Sequence, residues 1–160
     1  MKLYLLRHGI AEDRRPDLPD GARRLTPEGI ARMKLEAKRF ADIGLKPDRI
    51  ITSPLPRASE TAVIVAEALG LQAILREDDR LACGFGFRDF QAIIREQDQA
   101  TEVMLVGHEP DFSMIASDLI GEANIDLKKG GLIRIDLEKP VPGQGLLKWL
   151  LAPATLIGES

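Results

Sequence analysis

A chain of 160 residues, 44% hydrophobic and 29% charged, has an ordinary globular balance and the length of one domain spanning 1–160. Its net charge of −3 leaves no basic footprint for nucleic acid, and a single cysteine, Cys83, excludes an internal disulfide and favours the cytosol. The apolar run at residues 3–6 is too short for a signal-peptide core or a membrane span, so a soluble, cytoplasmic protein with no membrane partner is expected.

In chain order, residues 2–6 read as a buried strand, because a continuous apolar run suits a parallel sheet covered on both faces. The run stops at Arg7, His8 and Gly9. Residues 9–24 form a long polar loop containing Arg14, Arg15, Arg23 and Arg24. It is either a solvated connection or the source of an arginine that covers a bound anion. A helix follows, with Thr26 as cap, Pro27 at its first position and Glu28 at the positive end of its dipole. Leu25 and Ile30 have the spacing of a hydrophobic staple, and the helix ends near Gly44. A second strand lies within 48–52, and Ser53, Pro54 and Pro56 open a helix that runs to about Leu69 and stops at Gly70.

Arg57 falls in the first turn of that helix. An isolated cation is unfavourable there, whereas an anion would draw amides, dipole and guanidinium together; the alternative is an exposed arginine at small cost. A third strand is expected at 71–75, then an acidic solvated connection at 77–79 and a glycine-interleaved loop with Phe85 and Phe87, packing onto a helix over 89–97. Residues 102–106 form a fourth strand that ends at Gly107-His108, before a helix from about 110 to 120. Strands over 132–137 and 146–151 complete the pattern, with Trp149 expected in the core and residues 152–160 loosely ordered.

Arg7, His8, Arg57 and His108 therefore sit at element ends, where open α/β folds bind ligands. Two guanidinium forks can hold a tetrahedral dianion, and a neutral imidazole can attack phosphorus. Either histidine alone reads equally as a hydrogen-bonded structural residue. No histidine pair at ligand spacing and no aspartate cluster with a phosphate loop is present, so no metal or cofactor is expected.

Three stretches, Leu5-Leu6-Arg7-His8-Gly9, Ser53-Pro54-Leu55-Pro56-Arg57-Ala58-Ser59-Glu60-Thr61-Ala62 and Val106-Gly107-His108-Glu109-Pro110, resemble in order the signatures of the histidine phosphatase superfamily, with its phosphoglycerate mutase-like fold. Shortness, the Leu25-Thr26-Pro27-Glu28-Gly29 segment and the form of the last motif make the chain most similar to SixA-type phosphohistidine phosphatases. The resemblance implies a three-layer α/β/α sandwich with a mostly parallel central sheet. It implies that His8 is transiently phosphorylated, that Arg7 and Arg57 grip the phosphoryl oxygens, that His108 donates a hydrogen bond to the same group, and that water hydrolyses the intermediate.

One departure bears on the substrate. Many relatives carry a glutamate general acid after the third strand, and Cys83 aligns there. A neutral thiol is a poor proton donor for an alkoxide. A phosphoramidate has less need of such a donor, since its P–N bond is labile and its imidazole can be protonated before leaving. This favours a phosphohistidine-bearing protein, such as a phosphotransfer domain, over a small phosphate monoester, unless Glu77, Asp78, Asp79 or Glu109 supplies the acid. A non-catalytic phosphate-binding module is the third alternative. Cys83 itself reads as a small buried hydrophobe, and a monomer is expected.

Overall fold

The computed structural model describes residues 1–158. Among these the strands are β1 (Lys2–Arg7), β2 (Arg49–Thr52), β3 (Leu75–Glu77), β4 (Glu102–Gly107), β5 (Leu132–Asp136) and β6 (Leu146–Leu151). The helices are α1 (Pro27–Asp42), α2 (Pro56–Leu69), α3 (Phe87–Arg95), α4 (Asp111–Ile120) and α5 (Pro153–Ile157). The strands form one sheet in the order β3-β2-β4-β1-β5-β6. β3, β2, β4 and β1 run parallel, and β5 and β6 add antiparallel pairs at one side.

Strand alternation builds two cores from one sheet. Leu3 and Leu5 of β1 join Val103, Leu105, Ile133 and Ile135 against Phe90 and Ile93 of α3 and Phe112 and Ile115 of α4. Tyr4 and Leu6 face the other way, with Met104 and Val106, against Met33 and Phe40 of α1 and Ala58, Ala62 and Val65 of α2. The result is a mixed α/β sandwich of the phosphoglycerate mutase-like type. Thr26 caps α1 by accepting a hydrogen bond from the Gly29 amide at 2.9 Å, with Pro27 in the first turn.

The parallel register positions the site. Thr52 pairs with Val106, Leu6 with Val106 and Arg7 with Gly107. The next residues, His8, Ser53 and His108, therefore step off the same edge of the sheet side by side.

Several sequence expectations are corrected. The third strand is Leu75–Glu77, because residues Gln72–Ile74 make a 3-10 turn before Leu75 pairs with Ile50. Helix α3 begins at Phe87, two residues early, and ends at Arg95. The stretch after β3 is not simply solvated: Asp78 caps a 3-10 turn at Asp79–Leu81 and binds Arg80, which also binds Glu96. Cys83 is exposed, not buried. Trp149 is half-buried, since β6 is an edge strand, and its ring lies 6.0 Å from that of Tyr4. Within the expected loose tail, Pro153–Ile157 is helical and Leu156 packs on the second core; residues 159 and 160 lie outside the described residues. No helix among the described residues is long and apolar enough to cross a membrane.

Candidate active site

The end of β1 is clasped by the turn before β5. The Gly130 amide donates to the carbonyls of Arg7 and His8, and the Arg7 amide donates to Gly131. On the other side the His8 amide donates to the Gly107 carbonyl at 3.0 Å, and the Gly9 amide donates to Thr61 Oγ1 of α2 at 3.0 Å. These bonds hold His8 at the sheet edge, 6% exposed, with its ring centroid 5.4 Å from that of His108.

The hydrogen bonds decide both imidazole tautomers. His8 Nδ1 lies 2.7 Å from the Gly9 carbonyl, which can only accept. The proton is therefore on Nδ1, and Nε2 keeps its lone pair. His108 Nε2 lies 2.8 Å from Ser53 Oγ. That hydroxyl accepts from the Leu55 amide at 3.2 Å, and among the described residues its own proton has no acceptor other than Nε2, so the serine donates to the ring. His108 Nδ1 then carries a proton, and it is buried with no partner among the described residues.

Both arginines are tied in the same manner. Arg7 Nη1 donates to the Leu127 carbonyl at 2.7 Å, and Arg57 Nη1 donates to the Asp20 carbonyl at 2.9 Å. Nε of each is buried and has no hydrogen-bond partner among the described residues. The Nε–Nη2 edge of each fork is thus the edge offered to a ligand. On that edge Arg57 Nη2 makes only long contacts, 3.4 Å to Asp20 Oδ2 and 3.5 Å to Cys83 Sγ.

Electrostatics keep both rings neutral. Burial pushes the His8 pKa down to about 3; the Gly9 carbonyl opposes this, while His108, Arg57 and Arg7 add to it. Burial and then the charge of Arg57 bring His108 down to about 4, with Asp20 opposing. A neutral His8 with a free Nε2 is a nucleophile, and a neutral His108 is a hydrogen-bond donor through Nδ1.

The structure brings together all four residues singled out in the sequence: Arg7, His8, Arg57 and His108. It engages three of the four candidate carboxylates with other groups. Glu77 accepts from Ser59, Asp78 from Arg80, and Glu109 from the Ser113 amide, while Asp79 starts a 3-10 turn. Sequence reasoning missed Asp20, which the long loop lays on Arg57, and quoted Ser53 without a role. The serine immediately after a strand and before Pro54 was the available signal for Ser53. For Asp20 only its Pro19-Asp20-Gly21 turn composition was available. Of the loop arginines, Arg23 is drawn inward, 12% exposed, and binds the Glu12 carbonyl and Asp20; Arg24 pairs with Glu60 instead.

The model of the histidine phosphatase superfamily (branch 1) matches residues 3–82, which include Arg7, His8 and Arg57. The chain belongs to this superfamily. Its match to an uncharacterized protein of Picosynechococcus sp. (strain ATCC 27264 / PCC 7002 / PR-6) is 40% identical over 139 residues, 83% of each chain. A histidine phosphatase structure from Agrobacterium tumefaciens, assigned as phosphohistidine phosphatase SixA, aligns with a TM-score of 0.82 at 26% identity, covering 95% of this chain and 97% of that one. The protein histidine phosphatase SixA complexed with tungstate shares the fold with a TM-score of 0.87 at 22% identity, covering 98% and 99%. The α-ribazole phosphatase of Shigella flexneri also shares it, with a TM-score of 0.77 at 19% identity, covering 96% and 97%. Superfamily membership supports phosphatase activity without fixing the substrate.

Proposed function

We propose that this histidine phosphatase hydrolyses phosphohistidine displayed on another protein, such as a phosphotransfer domain, through a phospho-His8 intermediate. The observation that carries the reading is the set of buried, unpartnered N–H groups, Arg7 Nε, Arg57 Nε and His108 Nδ1, each on a side chain anchored through another nitrogen and grouped around His8. Orphaned buried donors are costly without an acceptor, and a phosphoryl dianion satisfies all three.

In the first step His8 Nε2 attacks phosphorus. The P–N bond of the substrate breaks, and its electron pair stays on the departing imidazole, whose other nitrogen carries the proton. The new phospho-His8 keeps a proton on Nδ1, held by the Gly9 carbonyl, so the intermediate is a labile N-phosphoryl imidazolium. Water then attacks phosphorus, the P–Nε2 bond breaks, and phosphate leaves with the protons of water. Arg7, Arg57 and His108 stabilise the phosphoryl oxygens in both steps.

Two features support phosphohistidine as the substrate class. The exposed Cys83 at the rim is no donor for an alkoxide. The alignment with the Agrobacterium structure, at 26% identity and nearly full coverage, points the same way. Exposed rim residues Arg14, Asp20, Cys83 and Gly84 leave the mouth accessible to a protein surface.

Turnover of a phosphohistidine protein and of a panel of phosphate esters, at equal enzyme and with His8→Ala as control, tests the reading. Phosphohistidine hydrolysis lost in the variant is expected. A strong preference for esters would replace the substrate, and phosphate binding without any turnover would leave a binding module.

A further inference from the structure

Asp20 lies against Arg57, and its two carboxylate oxygens are held very differently. Oδ1 lies 3.0 Å from Arg23 Nε and 3.3 Å from Arg14 Nε. Oδ2 makes only the 3.4 Å contact with Arg57 Nη2. The backbone carbonyl of the same residue fixes Arg57 through Nη1 at 2.9 Å. Arg57 offers its Nε–Nη2 edge to the phosphoryl dianion, so the arriving dianion displaces Oδ2, together with the 3.5 Å contact from Nη2 to Cys83 Sγ. The carboxylate then stays anchored by two guanidinium groups through Oδ1. Its other oxygen is left bare at the mouth of the pocket, on the side where His108 senses its charge.

A bare carboxylate beside a phosphoryl dianion repels it unless a cation lies between them. The leaving group of a protonated phosphohistidine is such a cation, with a ring N–H pointing away from phosphorus. The leaving group of an alkyl or sugar phosphate is not. We propose that Asp20 reads the leaving group: Oδ2, released from Arg57, accepts the N–H of the substrate imidazolium, holding the ring in the protonated form from which the P–N bond breaks. The proton stays on the imidazole as it departs, so Asp20 is neither acid nor base in the balance. This inference rests on the phosphohistidine reading above. Desolvation alone would raise the Asp20 carboxyl pKa, but Arg23, Arg57 and Arg14 hold it below the usual carboxylate range, which suits an acceptor and not a donor. Asp20 would thus act in place of an acid, by selecting a substrate that brings its own proton.

Asp20→Asn keeps the backbone carbonyl and the side-chain size and removes the charge. The measurement is the ratio of kcat/KM for a phosphohistidine peptide to that for 4-nitrophenyl phosphate, whose leaving group departs as a stable anion. The ratio is expected to fall by about 10-fold or more, the worth of one hydrogen bond between charged groups. Both rates falling together would make Asp20 a mere brace for Arg57 and overturn the proposal, as would an unchanged ratio at unchanged rates. If the unaltered enzyme hydrolysed only the ester, the phosphohistidine reading itself would fall, and this proposal with it.

Discussion

Neutral histidines in the resting site have a cost that acid exposes. His8 and His108 titrate at about 3 and about 4 in the folded protein, against an ordinary 6.5. The unfolded chain therefore binds more protons between 6.5 and those values, and stability falls as pH drops through that window. Their neutral burial carries no penalty above pH 6.5. At pH 5 each ring gives up about 2 kcal/mol, from 1.5 pH units at about 1.4 kcal/mol per unit, or about 4 kcal/mol for the pair. Asp48, Asp78 and Asp136 add little at pH 5: their folded pKa values are lowered, so what they contribute is lost only as pH falls below the ordinary carboxylate value. Urea denaturation at pH 7.5 and pH 5.0 measures the difference. The unaltered protein is expected to lose about 4 kcal/mol more than a His8→Asn/His108→Asn double variant. Equal losses in the two proteins would refute the claim that the rings are held neutral by burial.

Two further substitutions probe how the site is held. Ser53→Ala removes the donor that places the His108 proton on Nδ1. It is expected to lower kcat/KM about 10-fold, the worth of one hydrogen bond of about 1.4 kcal/mol, with little change in the urea midpoint. Gly29→Ala improves helix propensity in α1 yet is expected to destabilise by more than about 1–3 kcal/mol, the usual cost of overpacking. Its Cβ would overlap the Ile10 carbonyl oxygen and come within 2.9 Å of the Ile10 carbonyl carbon, both rigid backbone just after His8. A raised urea midpoint would contradict the packing.

Much of this was legible in the chain because local signals agree with tertiary ones. The apolar runs of β1 and β4 need both faces buried, and the structure covers both with helices. Thr26-Pro27 and Gly70 punctuate α1 and α2 as their chemistry dictates. What failed was set by distant partners. Residues 71–75 have strand-like composition, but pairing with Ile50 and Thr52 selects Leu75–Glu77, an edge strand whose Arg76 and Glu77 are exposed. Cys83 sits in a short glycine-bounded loop hooked to α4 by the Asp111 carboxylate, which accepts the Gly84 and Phe85 amides. That tether sets the thiol at the pocket mouth, exposed yet 3.5 Å from Arg57 Nη2, and no local pattern reveals it. The four site residues were readable because each ends an element or begins one. Asp20 was not, because its place on Arg57 depends on how a polar loop folds back across 37 residues of chain.

The claim on which the rest depends is that phosphorus passes through His8. Rapid mixing with a phosphohistidine peptide, quenching in alkali and locating the trapped phosphate by mass spectrometry tests it directly. The expected result is one phosphoryl group on His8, lost on mild acidification and absent from His8→Ala, which turns over no substrate. Undiminished turnover in His8→Ala, or phosphate trapped on another side chain, would contradict it.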